Sequence, residues 1–392
     1  MRFGVIGFGG RISSMINYVM REVAPEVRVV GIVDPNEAAA RSRLADCDRD
    51  NALFCGSVDE LVRQVKPDAL LIGTRCGLHT PYAIEASRYD LPLFLEKPVA
   101  TSMEQALALE TAFENTKCEV VVSFPLRVSP LCELCRQVIA EGRIGTPEHV
   151  LAQNYVPYGT CYFDAFYRDF ESTQGLFLQK ATHDFDYLMY LVGAPVVRVG
   201  AMASHGRVFG GDKPAGLWCA DCDEQETCLE SPQNRQRNLS GGDGGNHLCV
   251  FGEDIGTPAT GMNEDSSSAL LEFANGTKGV YTQVFFSRRD SGTRGCTVSG
   301  YHGTVSFDWY TGDMKYVRHH RPFSDVTKSQ PGMSHFGGDL ELAYDFVALV
   351  RSGKRPRTPI ETGIQSAYSC LAAKQSSEQG IFVDVRQVGA ER

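Results

Sequence analysis

The chain has no excess of positive charge and no long apolar run. Its 38 Lys and Arg residues are outnumbered by 48 Asp and Glu residues, which gives a net charge of −10. An acidic surface repels phosphate groups, so we expect neither a nucleic acid nor an anionic membrane surface as a partner. No apolar stretch is long enough to span a bilayer, and the first residues read as a strand rather than as a signal peptide. These features favour a cytoplasmic protein.

Internal repeats and low-complexity tracts are absent from the sequence as well. A length of 392 residues exceeds the usual size of one domain and favours two. The 13 cysteines, in a chain without secretory features, are expected to be mostly reduced thiols or metal ligands.

A predicted strand runs directly into a glycine-rich turn at the start of the chain. Gly7 permits a tight turn, Gly9 lets the backbone approach a pyrophosphate, and the N-terminus of the following helix attracts that anion. The third glycine of the dinucleotide fingerprint falls on Ile12, so we expect Gly10 to relieve the crowding between helix and strand. The predicted cofactor residues of this turn are Gly7, Phe8, Gly9, Gly10, Arg11 and Ile12.

Asp34 follows the second predicted strand, Arg28 to Val33, at a position typical of an acidic residue that binds an adenosine ribose. A carboxylate there repels a 2′-phosphate, so NAD is favoured over NADP. A plain turn at Asp34 is the alternative interpretation, and Arg41 and Arg43 downstream are candidate partners for a phosphate.

A second ligand-binding position follows the apolar strand Leu93 to Leu95. Glu96-Lys97-Pro98 ends that strand and leaves Lys97 at its carboxyl end. In an open parallel sheet, ligands bind in the crevice outside the carboxyl ends of the strands. The alternative is that this Lys-Pro pair only marks a turn.

Alternating strands and helices predict a doubly wound parallel sheet over residues 1–125, a Rossmann-type NAD-binding domain, and hence an α/β protein. Capping boxes at Ser57 and Thr101 start two of its helices. Residues 126–392 predict an α+β domain for substrate binding and oligomerisation, with a large, open, mostly antiparallel sheet. Asn275-Gly276 predicts a hairpin within it.

Further along, the chain carries His79 and a segment that reads Lys180-Ala-Thr-His183-Asp-Phe-Asp186. With the glycine-rich turn and the Glu-Lys-Pro segment, these residues resemble the Gfo/Idh/MocA oxidoreductases, named after glucose–fructose oxidoreductase and inositol dehydrogenase. The resemblance covers nearly the whole chain. It implies NAD(P) on the Rossmann domain, a sugar or cyclitol as substrate, and a homodimer or homotetramer.

The resemblance also implies roles for individual residues. Lys97 corresponds to a lysine that contacts the nicotinamide ribose and the substrate hydroxyl, and His183 to the catalytic histidine. Asp186 corresponds to a carboxylate that contacts substrate. Many members have Asp four residues before the histidine, but this chain has Gln179, followed by Lys180. Because an amide cannot hold the proton of an Asp–His pair, Lys97 or Lys180 is expected to share the proton transfer. The predicted cofactor set also includes Thr74, His79 and Glu96, and the predicted substrate set includes Arg127.

Seven aromatic residues fall within residues 155–170. Their faces suit the apolar faces of a pyranose or cyclitol ring, with Tyr167 and Arg168 as predicted substrate contacts. An equally good interpretation is a lid or subunit contact that is stabilised by burial of the aromatic side chains.

A polar, glycine-rich insertion at about residues 205–264 is far longer than an ordinary loop. The spacing Cys219-x-x-Cys222, with Cys228 and Cys249 further on, predicts a structural zinc site with four thiolate ligands. Free cysteines, disulfides and, less favoured, an iron–sulfur cluster are the alternatives.

Taken together, these features predict an NAD-dependent dehydrogenase that oxidises a ring hydroxyl, with Lys97 and His183 accepting or relaying the hydroxyl proton. Two other functions stay open. One is an NAD-dependent glycoside-cleaving enzyme that oxidises a ring carbon transiently to permit elimination. The other is a redox-silent NAD-binding regulator, which is favoured by glutamine instead of aspartate at position 179.

Overall fold

A computed structural model describes residues 1–238, 245–257, 259–329 and 334–390. Residues 239–244 and 258 of the predicted insertion therefore lie outside the described part of the chain.

The N-terminal part forms a parallel sheet of six strands in the order β3-β2-β1-β4-β5-β6. The order reverses between β1 and β4, which is where such sheets bind ligands. The predicted α/β fold class and doubly wound parallel sheet are confirmed. The strands are β1 (Arg2–Ile6), β2 (Arg28–Val33), β3 (Leu53–Phe54), β4 (Ala69–Ile72), β5 (Leu93–Leu95) and β6 (Val120–Val122).

Helices pack on both faces of this sheet. The first runs over residues 10–23, with a π-helical stretch at Met15–Met20 between α1 and α2. Ser57 caps a helix as predicted, but the second capping box lies one residue later than expected, because Ser102 rather than Thr101 accepts the Gln105 N–H. The helices are α1 (Gly10–Ser14), α2 (Arg21–Val23), α3 (Glu37–Arg43), α4 (Asp46–Arg49), α5 (Val58–Val65), α6 (His79–Ala86) and α7 (Met103–Phe113).

The second sheet has nine strands in the order β14-β13-β12-β11-β7-β10-β9-β8-β15. Its neighbours are antiparallel except for the parallel pair β7–β10, so the mostly antiparallel sheet is confirmed. Gly276, at φ +92, closes the predicted hairpin between β9 and β10. The strands are β7 (Pro147–Tyr155), β8 (Val196–Ser204), β9 (Ser266–Phe273), β10 (Lys278–Val284), β11 (Thr293–Gly300), β12 (Gly303–Asp308), β13 (Asp313–Arg318), β14 (Ser324–Lys328) and β15 (Val383–Asp384).

Two long helices close the fold. α15 packs against β8 and α12 under the second sheet, whereas α14 returns to the first, where Phe346 contacts Phe3 and Phe94. Because α14 belongs to the second half of the sequence but packs on the first sheet, the domain boundary at residues 125/126 stays a prediction. No described helix is both long and apolar enough to cross a membrane. The remaining helices are α8 (Pro130–Ala140), α9 (Cys161–Asp164), α10 (Phe170–Thr173), α11 (Leu176–Gln179), α12 (Thr182–Val192), α13 (Pro232–Arg237), α14 (Gly338–Ser352) and α15 (Ile360–Gln379).

Candidate active site

The glycine-rich turn joins β1 to α1 at the carboxyl edge of the first sheet. Gly7 has φ +78, and a Cβ there would lie 2.8 Å from Thr74, so only glycine fits. The residue that makes room for Ile12 is not Gly10, whose Cβ would meet nothing within 4 Å, but Gly73, whose Cβ would lie 2.7 Å from the Cβ of Ile12. The open space in front of Gly10 leaves the N-terminus of α1 accessible to a phosphate group.

Asp34 lies beside this turn, at the end of β2. Its carboxylate accepts hydrogen bonds from the backbone N–H groups of Phe8 and Asn36, each at 2.8 Å. The nearby Arg41 pairs with Glu37 and stacks on Phe54. Asp34 therefore places a negative charge beside the turn. A negative charge at this position suits ribose hydroxyls better than a phosphate.

A partly buried ion network connects the turn to the Glu-Lys-Pro segment and to α14. The Arg11 guanidinium donates to Glu96 at 3.0 Å and, through two nitrogens, to Asp339 at 2.6 and 2.8 Å. His335 Nδ1 lies 2.9 Å from the same Asp339 carboxylate, and Arg11 and His335 together hold the pKa of Asp339 well below its ordinary value despite burial. Arg11 and Glu96 thus orient the loop that carries Lys97.

His79 connects the two loops on either side of the site. Its ring nitrogens lie 2.8 Å from the Pro98 carbonyl and 3.2 Å from the Thr74 carbonyl. Burial lowers the pKa of His79 below its ordinary value. Both nitrogens face backbone, so this histidine positions Thr74 and the segment after Lys97; a direct cofactor contact by either residue stays a prediction.

Lys97 reaches from β5 across to α11. Its Nζ donates to the Gln179 carbonyl at 2.6 Å. Burial, reinforced by the charges of Lys180 and Arg294, lowers the pKa of Lys97 to about 8. This amine therefore exchanges a proton close to neutral pH.

His183 and Gln179 lie on the same wall of the site, and both are buried. The Nδ1 atom of His183 and the Oε1 atom of Gln179 have no hydrogen-bond partner among the described residues. Burial and the charge of Lys97 hold the pKa of His183 well below its ordinary value, so the ring is neutral. An unpartnered ring nitrogen and an unpartnered amide oxygen beside a primary amine form a site for a hydroxyl-bearing ligand.

Asp186 does not join this group. It lies one helical turn beyond His183, buried against Arg127, whose Nε is 3.4 Å from its carboxylate. Neither oxygen has a hydrogen-bond partner among the described residues, and burial raises the pKa of Asp186 to about 7. The structure thus brings two predicted substrate residues together, and their contact with substrate stays a prediction.

The aromatic segment divides between the two interpretations offered for it. Tyr162 and Phe163 are buried in a small core with residues of the insertion, which fits the packing role. Tyr158 and Phe166 remain 43% and 51% exposed, and Phe166 stacks under the guanidinium of Arg75 at 3.9 Å. These exposed rings are available for contact with a ligand.

Tyr167 and Arg168, both predicted substrate residues, differ in their surroundings. Tyr167 packs at a tilt between Phe166 and Tyr162, with ring centroids 4.0 and 5.5 Å away. Arg168 is buried and pairs with Asp254 of the insertion at 2.5 Å. Arg168 therefore ties the insertion to the aromatic segment, and a contact with substrate stays a prediction.

A buried ion pair that the motif analysis missed supports the helix of His183. Asp184 accepts from Arg294 on β11 at 3.0 Å, and from Asn154 and Tyr281 at 2.9 Å each. Asp184 directly follows His183, so its place in the motif was a usable signal. Arg294 offered none, because a charged residue in a strand normally faces water.

The four cysteines of the insertion meet at one place. Cys219, Cys222, Cys228 and Cys249 line a single cavity of about 20 Å³, and none of them forms a disulfide. However, the described residues contain no group of three or more His, Cys, Asp or Glu side chains arranged to hold a metal ion. The zinc prediction is therefore not confirmed.

Comparisons with known proteins agree with this architecture. Residues 1–124 match the profile of an oxidoreductase family with an NAD-binding Rossmann fold, and residues 133–306 match the GFO/IDH/MocA C-terminal domain. A putative oxidoreductase, YteT, of Bacillus subtilis is 23% identical over 76% of this chain and 74% of its own length. The scyllo-inositol 2-dehydrogenase (NAD(+)) of the same organism is 26% identical over 53% of this chain and 57% of its own length.

Solved structures show the same fold. A levoglucosan dehydrogenase in complex with NADH and levoglucosan superposes with a TM-score of 0.74 at 18% identity, covering 99% of this chain and all of the other. The two matching profiles span most of the chain, and the residues that they cover include the glycine turn, Lys97 and His183. The chain therefore belongs to the Gfo/Idh/MocA family of NAD-binding oxidoreductases.

Proposed function

We propose that the chain is an NAD-dependent dehydrogenase that oxidises a ring hydroxyl of a sugar or cyclitol. The observation that carries this proposal is the Lys97 amine, held on the Gln179 carbonyl beside neutral His183 at the edge of the NAD-binding sheet. Relatives named as inositol dehydrogenases and a structural neighbour that binds levoglucosan support a polyhydroxylated ring as substrate.

Each residue has a distinct part in this reaction. NAD, when bound, supplies the hydride acceptor. Lys97 holds the reacting hydroxyl and, with a pKa of about 8, takes its proton. His183 offers Nδ1 as an acceptor for the same or a neighbouring hydroxyl. Phe166 and Tyr167 pack against the ring.

The proposal is tested with a panel of sugars, cyclitols and glycosides, measuring NADH formation and aglycone release separately. A dehydrogenase forms NADH in proportion to substrate consumed. Aglycone release without net NADH would instead support the glycoside-cleaving function, and neither product would support the regulator.

The position of Asp34 predicts cofactor selectivity. NAD should bind at least about tenfold more tightly than NADP, a difference of roughly 1.4 kcal/mol, because the carboxylate repels a 2′-phosphate. Asp34→Asn should reduce this ratio, whereas Asp59→Asn, which removes an exposed carboxylate on α5, should not. Calorimetry that finds equal affinities for the wild-type protein would remove Asp34 from the ribose site.

Gln179→Asp should move the pH dependence of turnover. A carboxylate beside Lys97 favours the ammonium form, so the rise of the oxidation rate with pH should shift to higher pH. Gln179→Asn has the same size as the Asp variant without its charge, and should leave the profile in place. If both variants have the same profile, charge at this position does not control the proton transfer.

A structural zinc ion stays a prediction, supported by the cavity that the four thiols share. Elemental analysis of protein prepared without chelators should find about one zinc per chain. Cys222→Ser should abolish the bound zinc and make the insertion sensitive to protease. NAD should still bind, because a zinc ion held by four thiolates has no open coordination position and is structural only. Cys47→Ser is the control, because it removes an exposed thiol outside the insertion and should leave the zinc content unchanged. Wild-type protein without metal would refute the site.

A homodimer or homotetramer is also proposed. Leu151, Leu270 and Met202 lie on one face of the second sheet and are 47%, 52% and 77% exposed. Apolar side chains grouped on a sheet face favour contact with a second copy.

A further inference from the structure

Tyr158 and Lys180 form a hydrogen-bonded pair that joins the aromatic segment to the C-terminal end of α11. Lys180 Nζ donates to Tyr158 Oη at 2.8 Å, and it lies 5.0 Å from the centre of the same ring. Lys180 is buried, and its Nζ donates its hydrogen bond to Tyr158, whereas the Tyr158 side chain is 43% exposed. A buried ammonium whose principal partner is a phenol stabilises the phenolate form of that phenol.

The surroundings of Tyr158 reinforce this effect. Desolvation of the phenol by its neighbours raises the pKa of Tyr158, but Lys180 and Arg294 more than offset this effect, so that the pKa lies below the ordinary value of 10.0. Tyr310, which shares a hydrogen bond with Tyr158, behaves differently, because burial and the neighbouring Tyr158 raise its pKa. The titratable and charged groups that face Tyr158 are Lys180, Arg294 with its partner Asp184, Tyr162, Tyr310 and Cys161.

We propose that Tyr158 is a catalytic residue that accepts the proton of the substrate hydroxyl, and that Lys180 is its positioning residue. This inference rests on the proposed dehydrogenase function. The carbinol C–H bond breaks and its hydride goes to the nicotinamide ring of NAD, which is reduced. The O–H bond breaks, its proton passes to the Lys97 amine and from there to the Tyr158 phenolate oxygen, and the carbon, now oxidised, forms a C=O bond.

Tyr158 thereby does the work that the side chain of Gln179 cannot do. An aspartate at that position would share a proton with His183, but an amide has no proton-accepting role near neutral pH. Lys97, whose amine donates to the Gln179 carbonyl, accepts the hydroxyl proton first. Tyr158 then accepts this proton from Lys97.

The first test needs no substrate. Ultraviolet absorbance of the full-length protein is followed during a pH titration, which reports phenolate formation. The wild-type protein should show a step of one tyrosine below pH 10 that is absent from Tyr158→Phe and shifted to higher pH in Lys180→Met. Lys180→Arg should retain it, and so should Tyr18→Phe, which loses a tyrosine that is 75% exposed.

The second test is turnover with scyllo-inositol and with levoglucosan. Tyr158→Phe should reduce the rate on the order of 10²-fold with NAD binding unchanged. Lys180→Met should be slow at neutral pH and recover as the pH rises, because the phenolate then forms without the ammonium; a merely structural lysine would show no such recovery.

Two results would overturn the inference. One is the absence of a Tyr158-dependent step in the wild-type titration, and the other is undiminished turnover in Tyr158→Phe. If the step is present and depends on Lys180 but no compound of the panel is oxidised, the pair stands and the proposed function is wrong.

Discussion

Lys97→Met should lose turnover by on the order of 10²-fold or more while NAD still binds. Methionine has a similar length and keeps the apolar packing, but it removes the amine that donates to the Gln179 carbonyl. Because Arg11 and Glu96 orient this loop from the other side, the backbone should stay in place. The loss should therefore appear in kcat, measured as NADH formation at saturating NAD.

Lys354→Met is the matched control, since Lys354 lies in an exposed segment after α14. Its turnover should equal that of the wild-type protein. Near-normal turnover of Lys97→Met would exclude Lys97 from the chemistry. Loss of NAD binding in this variant would instead assign Lys97 to the cofactor alone.

Arg294→Met should reduce the free energy of unfolding by about 3–5 kcal/mol, because it leaves Asp184 as an unpaired charge in the core. Both partners are almost fully buried, and Asp184 has no access to water to replace the lost bonds. The measurement is urea unfolding followed by circular dichroism. An exposed pair, Arg198 with Asp384, provides the control. Arg198→Met should cost less than about 1 kcal/mol, and equal losses in both variants would show that Asp184 finds other partners.

Local patterns were sufficient for much of the first sheet. Strands β1, β2 and β5 coincide with apolar runs, apart from the exposed arginine that opens β1 and β2, because strands buried on both faces read as continuous apolar segments. The position of Lys97 at the carboxyl end of β5 followed from the same run.

Strand β11 could not be predicted in this way. It contains Arg294, which is buried only because Asp184 on a distant helix pairs with it. It also contains Gly295, where a Cβ would lie 2.0 Å from the Phe307 carbonyl of β12. Both residues weaken the local strand pattern. Their presence in a strand is explained by contacts that form only when the sheet assembles.

The site shows the same division. The motif residues Lys97, His183 and Gln179 come together, but the atom of Gln179 that holds Lys97 is a backbone carbonyl, which no choice of side chain reveals. Similarly, Ile12 is accommodated by Gly73, 61 residues away along the chain. Contacts of this kind depend on tertiary packing and leave no trace in residue spacing.

The most direct measurement is deuterium transfer from a substrate labelled at the carbinol carbon, such as scyllo-inositol or another panel compound that the protein consumes. The wild-type protein should place the label on the nicotinamide ring of the reduced cofactor, one deuterium per ketone formed, and Lys97→Met should form both products much more slowly at the same ratio. Consumption of substrate without label on the nicotinamide would contradict the proposal that the site around Lys97 and His183 oxidises a ring hydroxyl with NAD.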